Sequence, residues 1–375
     1  MLPVAAGEPG TRSELLRACE NDPPLQAIAA CDTLLELGVF DSTRQQSMVL
    51  VWRGGAYQMI GAFPQAVANF DRATAVDQTN AEAYVARALW RDEAGLPTYE
   101  TTSAQYADLE AAMRHNPDHV IALLLYAMLL EQEWASEVGD DYLPRARRVA
   151  PEHPWLYFTL ARIEAMDENG DWSLGQAQLN EAITRAPNNH LFRLYRGDTR
   201  RYRGDPAGSL ADFDVVLLQR PWNFDAHFGR ARTLDDLRRY DEAIDEYSAA
   251  LLWREDAEAL GNRCLSRISV GMEFHLARQD CERAARIHPD RSRVLGNLAL
   301  ALLFTGDANG AQIIASRAIA VDGSSRSRYV RYLIYKALGR ENLAREDFEM
   351  AISHDADIAR QMADIERWVP VAPTP

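Results

Sequence analysis

The sequence predicts an all-α solenoid of about nine to ten helix-turn-helix repeats that ends in a capping helix. The first observation is the spacing of the prolines that close helical stretches, which is 34, 36, 34 and 68 residues for Pro117, Pro151, Pro187, Pro221 and Pro289. A period near 34 residues is typical of repeated pairs of antiparallel helices. The second observation is that small residues recur in phase with this period. The third is that no apolar run reaches the ~20 residues needed to span a bilayer.

The small residues indicate where paired helices cross, because helices approach closely only where small side chains lie at the crossing. A small residue lies five positions before each helix stop, at Ala112, Ala146, Ala182, Val216, Ala250, Ala284 and Ala318. A mostly larger side chain lies three positions earlier, at Leu109, Leu143, Leu179, Phe213, Tyr247, Cys281 and Ala315. This alternation predicts helix pairs in register along nearly the whole chain.

The best-formed copy runs from Tyr195 through Gly197, Asp205, Ser209 and Phe213 to Pro221. Further copies run from Gly54 to Ala73, from Ala231 to Ala250 and from Asn297 to Ala318. Over residues 12–355 the chain resembles the tetratricopeptide repeat (TPR) family. The resemblance implies a right-handed superhelix in which the first helices of successive repeats line a concave, partner-binding groove. The copy at 81–119 departs from the family pattern by an insertion, Leu96 to Thr102, and the copies that end near Glu255 and Gly323 lack the proline.

The predicted organisation is an N-terminal tail at 1–11, the solenoid at 12–355, a capping helix at 356–368 and a C-terminal tail at 369–375. Thr11 and Glu14 form a predicted capping box at the first helix. On the capping helix, Arg360, Asp364 and Arg367 are expected to face outward, since a solenoid end needs a polar cover. The predicted copies cover 12–46, 47–80, 81–119, 120–153, 154–189, 190–223, 224–257, 258–291, 292–324 and 325–355.

The charge distribution argues against general nucleic-acid binding, because the net charge is −15 and the pI is about 5.0. The segment from Arg291 to Arg345 is an exception, with nine basic and three acidic residues. If its arginines Arg326, Arg328 and Arg331 bind a partner, an acidic peptide or a carboxylate terminus is the expected ligand. The alternative is that they form only a solvated end face.

The register of the repeats places a set of side chains on the concave groove. Aromatic residues and arginine are the side chains that most often anchor partners, although each aromatic could instead serve repeat packing. The predicted groove residues are Trp52, Met59, Trp155, Phe158, Tyr202, Phe228, Arg232, Asn262, Asn297, Phe304, Arg326, Tyr329 and Arg331.

The four cysteines form two sets, and in each set one cysteine lies on the first helix of a repeat and one on the second. Cys19–Cys31 and Cys264–Cys281 are therefore candidate disulfides. The alternative is that all four are buried small apolar residues.

The compartment depends on this choice. The first ten residues carry neither the basic segment nor the long apolar core of a signal peptide, so the chain as given is expected in the cytoplasm. If a leader was trimmed and the cysteines pair, a periplasmic or exported protein is expected.

No phosphate-binding loop, metal-binding helix motif or nucleophile elbow occurs in the sequence. We therefore expect no enzymatic activity, no cofactor and no metal. The expected function is that of a bacterial interaction scaffold or adaptor, whose groove holds a peptide or partner protein. The alternatives are a structural subunit that packs through its convex face and a regulatory solenoid that senses a small molecule.

Overall fold

The computed structural model describes residues 11–93, 99–132, 141–166 and 172–370, and all regular elements in these ranges are helices. Twenty-one helices are described, as ten successive pairs and one final helix. The chain divides into two compact units, Met1–Arg196 and Gly197–Pro375. Most of the two predicted tails and part of the predicted insertion at 96–102 lie outside the described residues. No helix in the described ranges combines the length and the apolar character of a membrane span.

The first unit contains the helices up to the start of the sixth pair. They are α1 (Arg12–Asn21), α2 (Pro24–Leu37), α3 (Thr43–Met59), α4 (Phe63–Val76), α5 (Ala81–Glu93), α6 (Tyr99–His115), α7 (Val120–Gln132), α8 (Tyr142–Val149), α9 (Pro154–Met166), α10 (Trp172–Arg185) and most of α11 (His190–Tyr202). The first helix begins at the predicted capping box, since Thr11 and Glu14 cap each other reciprocally.

The second unit contains the end of α11 and the helices that follow it. They are α12 (Pro206–Gln219), α13 (Phe224–Asp236), α14 (Tyr240–Leu251), α15 (Ala257–Val270), α16 (Phe274–Ile287), α17 (Ser292–Phe304), α18 (Ala308–Asp322), α19 (Ser325–Ala337), α20 (Glu341–His354) and α21 (Ile358–Glu366).

The small residues allow the helices of a pair to pack closely, as the sequence pattern indicates. Ala243, Ala250, Ala277 and Ala284 are fully buried. Phe213 is also fully buried, and a Cβ atom on Gly197 would lie 2.9 Å from its ring. A side chain at this glycine would therefore push the helices of the pair apart.

The cysteines are joined in the structure as Cys19–Cys31 and Cys264–Cys281. The first bond links α1 to α2 and the second links α15 to α16, so each bond connects the two helices of one pair. All four cysteines are buried.

The expectation that three polar residues of the last helix face outward is wrong at one of them, Asp364. Arg360 and Arg367 are exposed, whereas the Asp364 side chain is mostly buried and accepts a hydrogen bond from the Tyr240 hydroxyl. Arg367 donates a hydrogen bond to the carbonyl oxygen of Ser269. These partners lie about a hundred residues earlier in the chain, because α21 turns back across the second unit.

Candidate functional site

Of the four predicted groove residues in the first unit, some pack in the core and others are partly exposed. Trp52 and Met59 are half-buried, and Trp52 packs against the core around the first disulfide. Trp155 packs edge-on against Phe158 and Phe192, with ring centroids 5.3 and 5.5 Å apart. Phe158 is buried in this cluster, so its ring serves repeat packing and is not available on the groove surface.

In the second unit Tyr202, Phe228 and Arg232 come together. The Arg232 guanidinium donates a hydrogen bond of 3.1 Å to the Tyr202 hydroxyl and lies 5.4 Å from the centre of the Phe228 ring. The hydrogen bond from Arg232 lowers the pKa of Tyr202. Tyr202 is 72% exposed, so this group offers an aromatic face and a cation to a partner.

Three of the predicted groove residues have other roles. Phe304 stacks on Phe274 with ring centroids 5.0 Å apart and packs against the core. Tyr329 is buried, and its hydroxyl donates to Glu366 over 2.7 Å. Arg331 pairs with Asp347 on α20 through bonds of 2.7 and 2.8 Å, so it ties together the helices of its own pair. Five residues turn a helix by ~140° beyond one full turn, so Arg326 and Arg331 cannot share a face.

In the second unit, the last helix lies across the side that the first helices form. Helix α21 contacts the first helices α15 and α19. Its apolar residues Ile358, Met362 and Ile365 are buried in one core cluster with Ile268 of α15 and Leu333 of α19. Because these three residues recur at intervals of four and three, they form a single apolar stripe on α21.

Acidic side chains hold the polar edge of α21. Glu366 accepts hydrogen bonds from Tyr329 and Tyr332 over 2.7 and 3.0 Å, and it pairs with Lys336 over 2.8 Å. Burial raises the pKa of Glu366, but the hydrogen bonds from Lys336 and the two tyrosines outweigh it and leave that pKa lowered. The carboxylate is therefore ionised and bound to three donors of α19.

A second acidic side chain of α21 makes similar contacts near the start of α14. Asp364 accepts a 2.7 Å hydrogen bond from the Tyr240 hydroxyl and pairs with Arg238 over 2.9 Å. Asp364 and Glu366 thus bind to different helix pairs of the second unit.

The residues after α21 complete this attachment. Arg367 and the indole nitrogen of Trp368 both donate to the carbonyl oxygen of Ser269, over 2.9 and 3.1 Å. The Trp368 indole lies directly over Gly271, where a Cβ atom would overlap it. The sequence pattern did not indicate Asp364, Glu366, Trp368 or Gly271 as groove residues.

A cavity of about 410 Å³ remains between α21 and the first helices of the second unit. Its charged and polar lining includes Arg201, Tyr202, Arg232, Asp235, Asp236, Tyr240, Tyr247, Asn262, Ser266, Arg293, Arg326 and Asp364. Asp236 pairs with Arg201 over 2.8 Å. Asp235 accepts hydrogen bonds of 2.7 Å from both Tyr247 and Ser266, and burial raises its pKa to about 6.

One side of the cavity brings together Arg326 and Asn262, which the sequence places in the groove, and Arg293, which it does not; Asn297, also predicted in the groove, lies behind Arg326. Arg326 donates to the Asn297 side-chain oxygen over 3.2 Å, and Arg293 donates to that of Asn262 over 3.2 Å. Burial, with the nearby charge of Arg293, lowers the pKa of Arg326 to about 10. Within the described ranges, no group of three or more possible metal ligands is found.

Helix pairs in series define an α-solenoid of helical hairpins. A sequence model described as tetratricopeptide repeat matches residues 224–256, which contain α13 and α14. Tetratricopeptide repeat protein 36 of Bos taurus is 30% identical over 156 residues, which are 40% of this chain and 81% of that protein. The same protein of Mus musculus is 29% identical over 153 residues, with the same coverage. The chain therefore belongs to the tetratricopeptide repeat family.

A solved structure shares the fold over a longer stretch. The crystal structure of the APC/C hetero-tetramer Cut9-Hcn1 matches 92% of this chain and 64% of its own chain, with a TM-score of 0.62 and 13% identity. The chain thus spans slightly less than two thirds of that protein. The TPR solenoid is in general a fold of interaction scaffolds without enzymatic activity, and its partners are proteins or peptides.

Proposed function

We propose that this protein is an interaction scaffold whose second unit binds an acidic, amphipathic helical segment of a partner in its concave groove. The observation that supports this proposal is that the groove already accommodates such a segment, namely α21 of the same chain. The groove supplies apolar contacts to Met362 and Ile365 and hydrogen-bond donors to Glu366. A partner helix with the same stripe and acidic edge meets the same contacts when it takes the place of α21.

The exposed group formed by Tyr202 and Arg232 extends the surface beyond α21. Arginine and tyrosine at the rim of a groove favour acidic and aromatic segments of a partner. We therefore expect the partner segment to run past the length of α21 toward α11 and α13.

The test uses a fluorescent peptide that corresponds to residues 356–370, added to the full-length chain. In the double variant Met362→Asp and Ile365→Asp, two carboxylates replace the apolar contacts and should release α21. We expect the peptide to bind this variant and not the wild type, whose groove is occupied. Fluorescence anisotropy measures the binding, and hydrogen exchange of residues 358–366 checks that the helix is released.

A matched variant tests the groove itself. Adding Tyr332→Phe and Lys336→Ala to the released variant removes two donors to the acidic residue, and we expect weaker peptide binding. A scrambled peptide is the control for charge alone. Equal binding of the scrambled peptide, or no binding to the released variant, contradicts the proposed groove.

A further inference from the structure

The cavity beneath α21 contains two arginine side chains without a carboxylate in ion-pair contact among the described residues. Arg293 lies in the first turn of α17 and Arg326 in the first turn of α19, so they come from successive first helices. The oxygen atoms that they contact belong to the amides of Asn262 and Asn297. No carboxylate in the described part of the chain forms an ion pair with either guanidinium.

Two neighbouring arginine side chains without an ion-pair partner are electrostatically unfavourable. Arg326 is half-buried, with the Met362 sulfur 3.6 Å from a guanidinium nitrogen, whereas Arg293 is exposed. The Nε atom of Arg326 is buried without an acceptor. A buried charge without a counter-ion is costly, and a like charge nearby adds to the cost. Positive side chains at helix N-termini also oppose the helix dipole.

The acidic residues of the cavity are engaged elsewhere. Asp236 pairs with Arg201, and Asp364 pairs with Arg238. Asp235 is close enough to feel the charge of Arg293, but its oxygens accept from Tyr247 and Ser266. None of these carboxylates therefore forms an ion pair with Arg293 or Arg326.

We propose that the cavity between Arg293 and Arg326 binds a small oxyanion, such as a phosphate or a low-molecular-weight carboxylate. Guanidinium groups recognise such oxygens in pairs, and the N-termini of two helices favour negative charge at this position. The cavity of about 410 Å³ has room for a small molecule while α21 stays in place. This site is distinct from the surface proposed for the partner segment, because the anion binds beneath α21, whereas the partner takes the place of α21.

The anion should also hold α21 in the groove. Gln361 and Met362 of α21 line the same cavity, so an anion bound to Arg326 lies between α21 and the first helices. A ligand that binds only the folded state raises the thermal midpoint in proportion to the logarithm of its concentration. Binding is therefore measurable without a partner and without any change to α21.

The experiment compares thermal unfolding in phosphate, sulfate and succinate with unfolding in chloride at matched ionic strength, using the full-length chain. The variants are Arg326→Gln and a control, Arg317→Gln, whose side chain is half-exposed on α18 and pairs with Asp290. The control is needed because sulfate and phosphate stabilise most folded proteins by exclusion from the surface.

We expect an oxyanion-specific rise in the midpoint for the wild type and for Arg317→Gln, and its loss in Arg326→Gln. In chloride, Arg326→Gln should unfold no earlier than the wild type, because it removes an unpaired charge. Equal rises of the thermal midpoint in all three proteins would show general stabilisation by salt and would overturn the proposal. No oxyanion-specific rise in the wild type overturns it as well.

Discussion

Gly271 is the residue on which the position of Trp368 depends. Its φ angle is +81°, in the left-handed region that glycine adopts without strain, and the Trp368 indole lies against its Cα. Two separate constraints, one on the backbone and one on space, therefore require glycine at this position.

The substitution Gly271→Ala should destabilise the attachment of the C-terminal segment. Backbone strain costs ~1 kcal/mol at such a position, and the new methyl group must displace the indole. We expect reduced hydrogen-exchange protection of residues 366–370. Gly306→Ala is the matched control, since Gly306 has a φ of +88° with nothing within 4 Å of a Cβ atom. Equal loss of protection in both variants would show that strain alone is responsible.

Asp235 provides a pH-dependent contribution to stability. Burial raises its pKa to about 6, above the usual value near 4 for an aspartate, so the folded state binds this proton more tightly than the unfolded state. The stability that the group contributes is therefore fully present below about pH 4 and is lost as the pH rises through about 6.

Replacing this carboxyl by the uncharged amide in Asp235→Asn should remove that dependence. Relative to the wild type, the variant should gain stability between about pH 4 and pH 7, by up to roughly 2–3 kcal/mol. Urea unfolding at a series of pH values measures the difference. Asp241→Asn, at an exposed residue of α14, is the control. A difference in unfolding free energy between variant and wild type that stays constant with pH would contradict the raised pKa of Asp235.

At the scale of the elements, the sequence predicts the helix pairs better than it predicts the last helix. The small and large residues that pack within a pair, such as Gly197 and Phe213, are close in sequence, so their spacing indicates the contact. The path of α21 depends instead on contacts such as that between Asp364 and Tyr240, which are 124 residues apart. A terminal amphipathic helix looks the same in sequence whether its polar edge faces water or the donors of a groove.

The register also misplaced individual groove residues because a helix turns 100° per residue. Arg326 lies in the cavity, whereas Arg331 turns toward Asp347 on the adjacent helix. Tyr329 lies between these directions and is buried beneath α21, where it contacts Glu366. A repeat pattern identifies the helix that lines a groove, but an error of one residue changes which side chain is exposed there.

Glu366 connects α21 to α19 through three polar contacts. Glu366→Gln keeps the shape but removes the charge that binds Lys336, Tyr329 and Tyr332, and hydrogen bonds to charged groups contribute about 1.5–3 kcal/mol. We expect faster hydrogen exchange in residues 358–366 and little change in α15–α18. Glu349→Gln, at an exposed residue of α20, is the control. Unchanged exchange in the Glu366 variant would mean that the apolar stripe alone retains the helix.

At the scale of the whole molecule, each compact unit contains one disulfide, but the two bonds differ in their position along the solenoid. Cys19–Cys31 joins the two helices of the first described pair, which packs against α3 of the next pair. Cys264–Cys281 closes the eighth pair, which has neighbours on both sides and carries part of the surface under α21. In a solenoid each repeat is stabilised mainly by its neighbours, so the effect of losing a bond should spread only to adjacent pairs.

The two double variants Cys19→Ala with Cys31→Ala and Cys264→Ala with Cys281→Ala test this difference. Each should lose roughly 2–3 kcal/mol locally, because the enclosed loops are short. The first variant should lose hydrogen-exchange protection in α1–α3, whereas the second should lose it in α13–α18 and in α21. Thiol titration of the denatured wild type without reductant is the control and should detect no free thiol. Four free thiols would exclude the bonds, and a uniform loss of protection in both variants would show that the chain unfolds as one cooperative body.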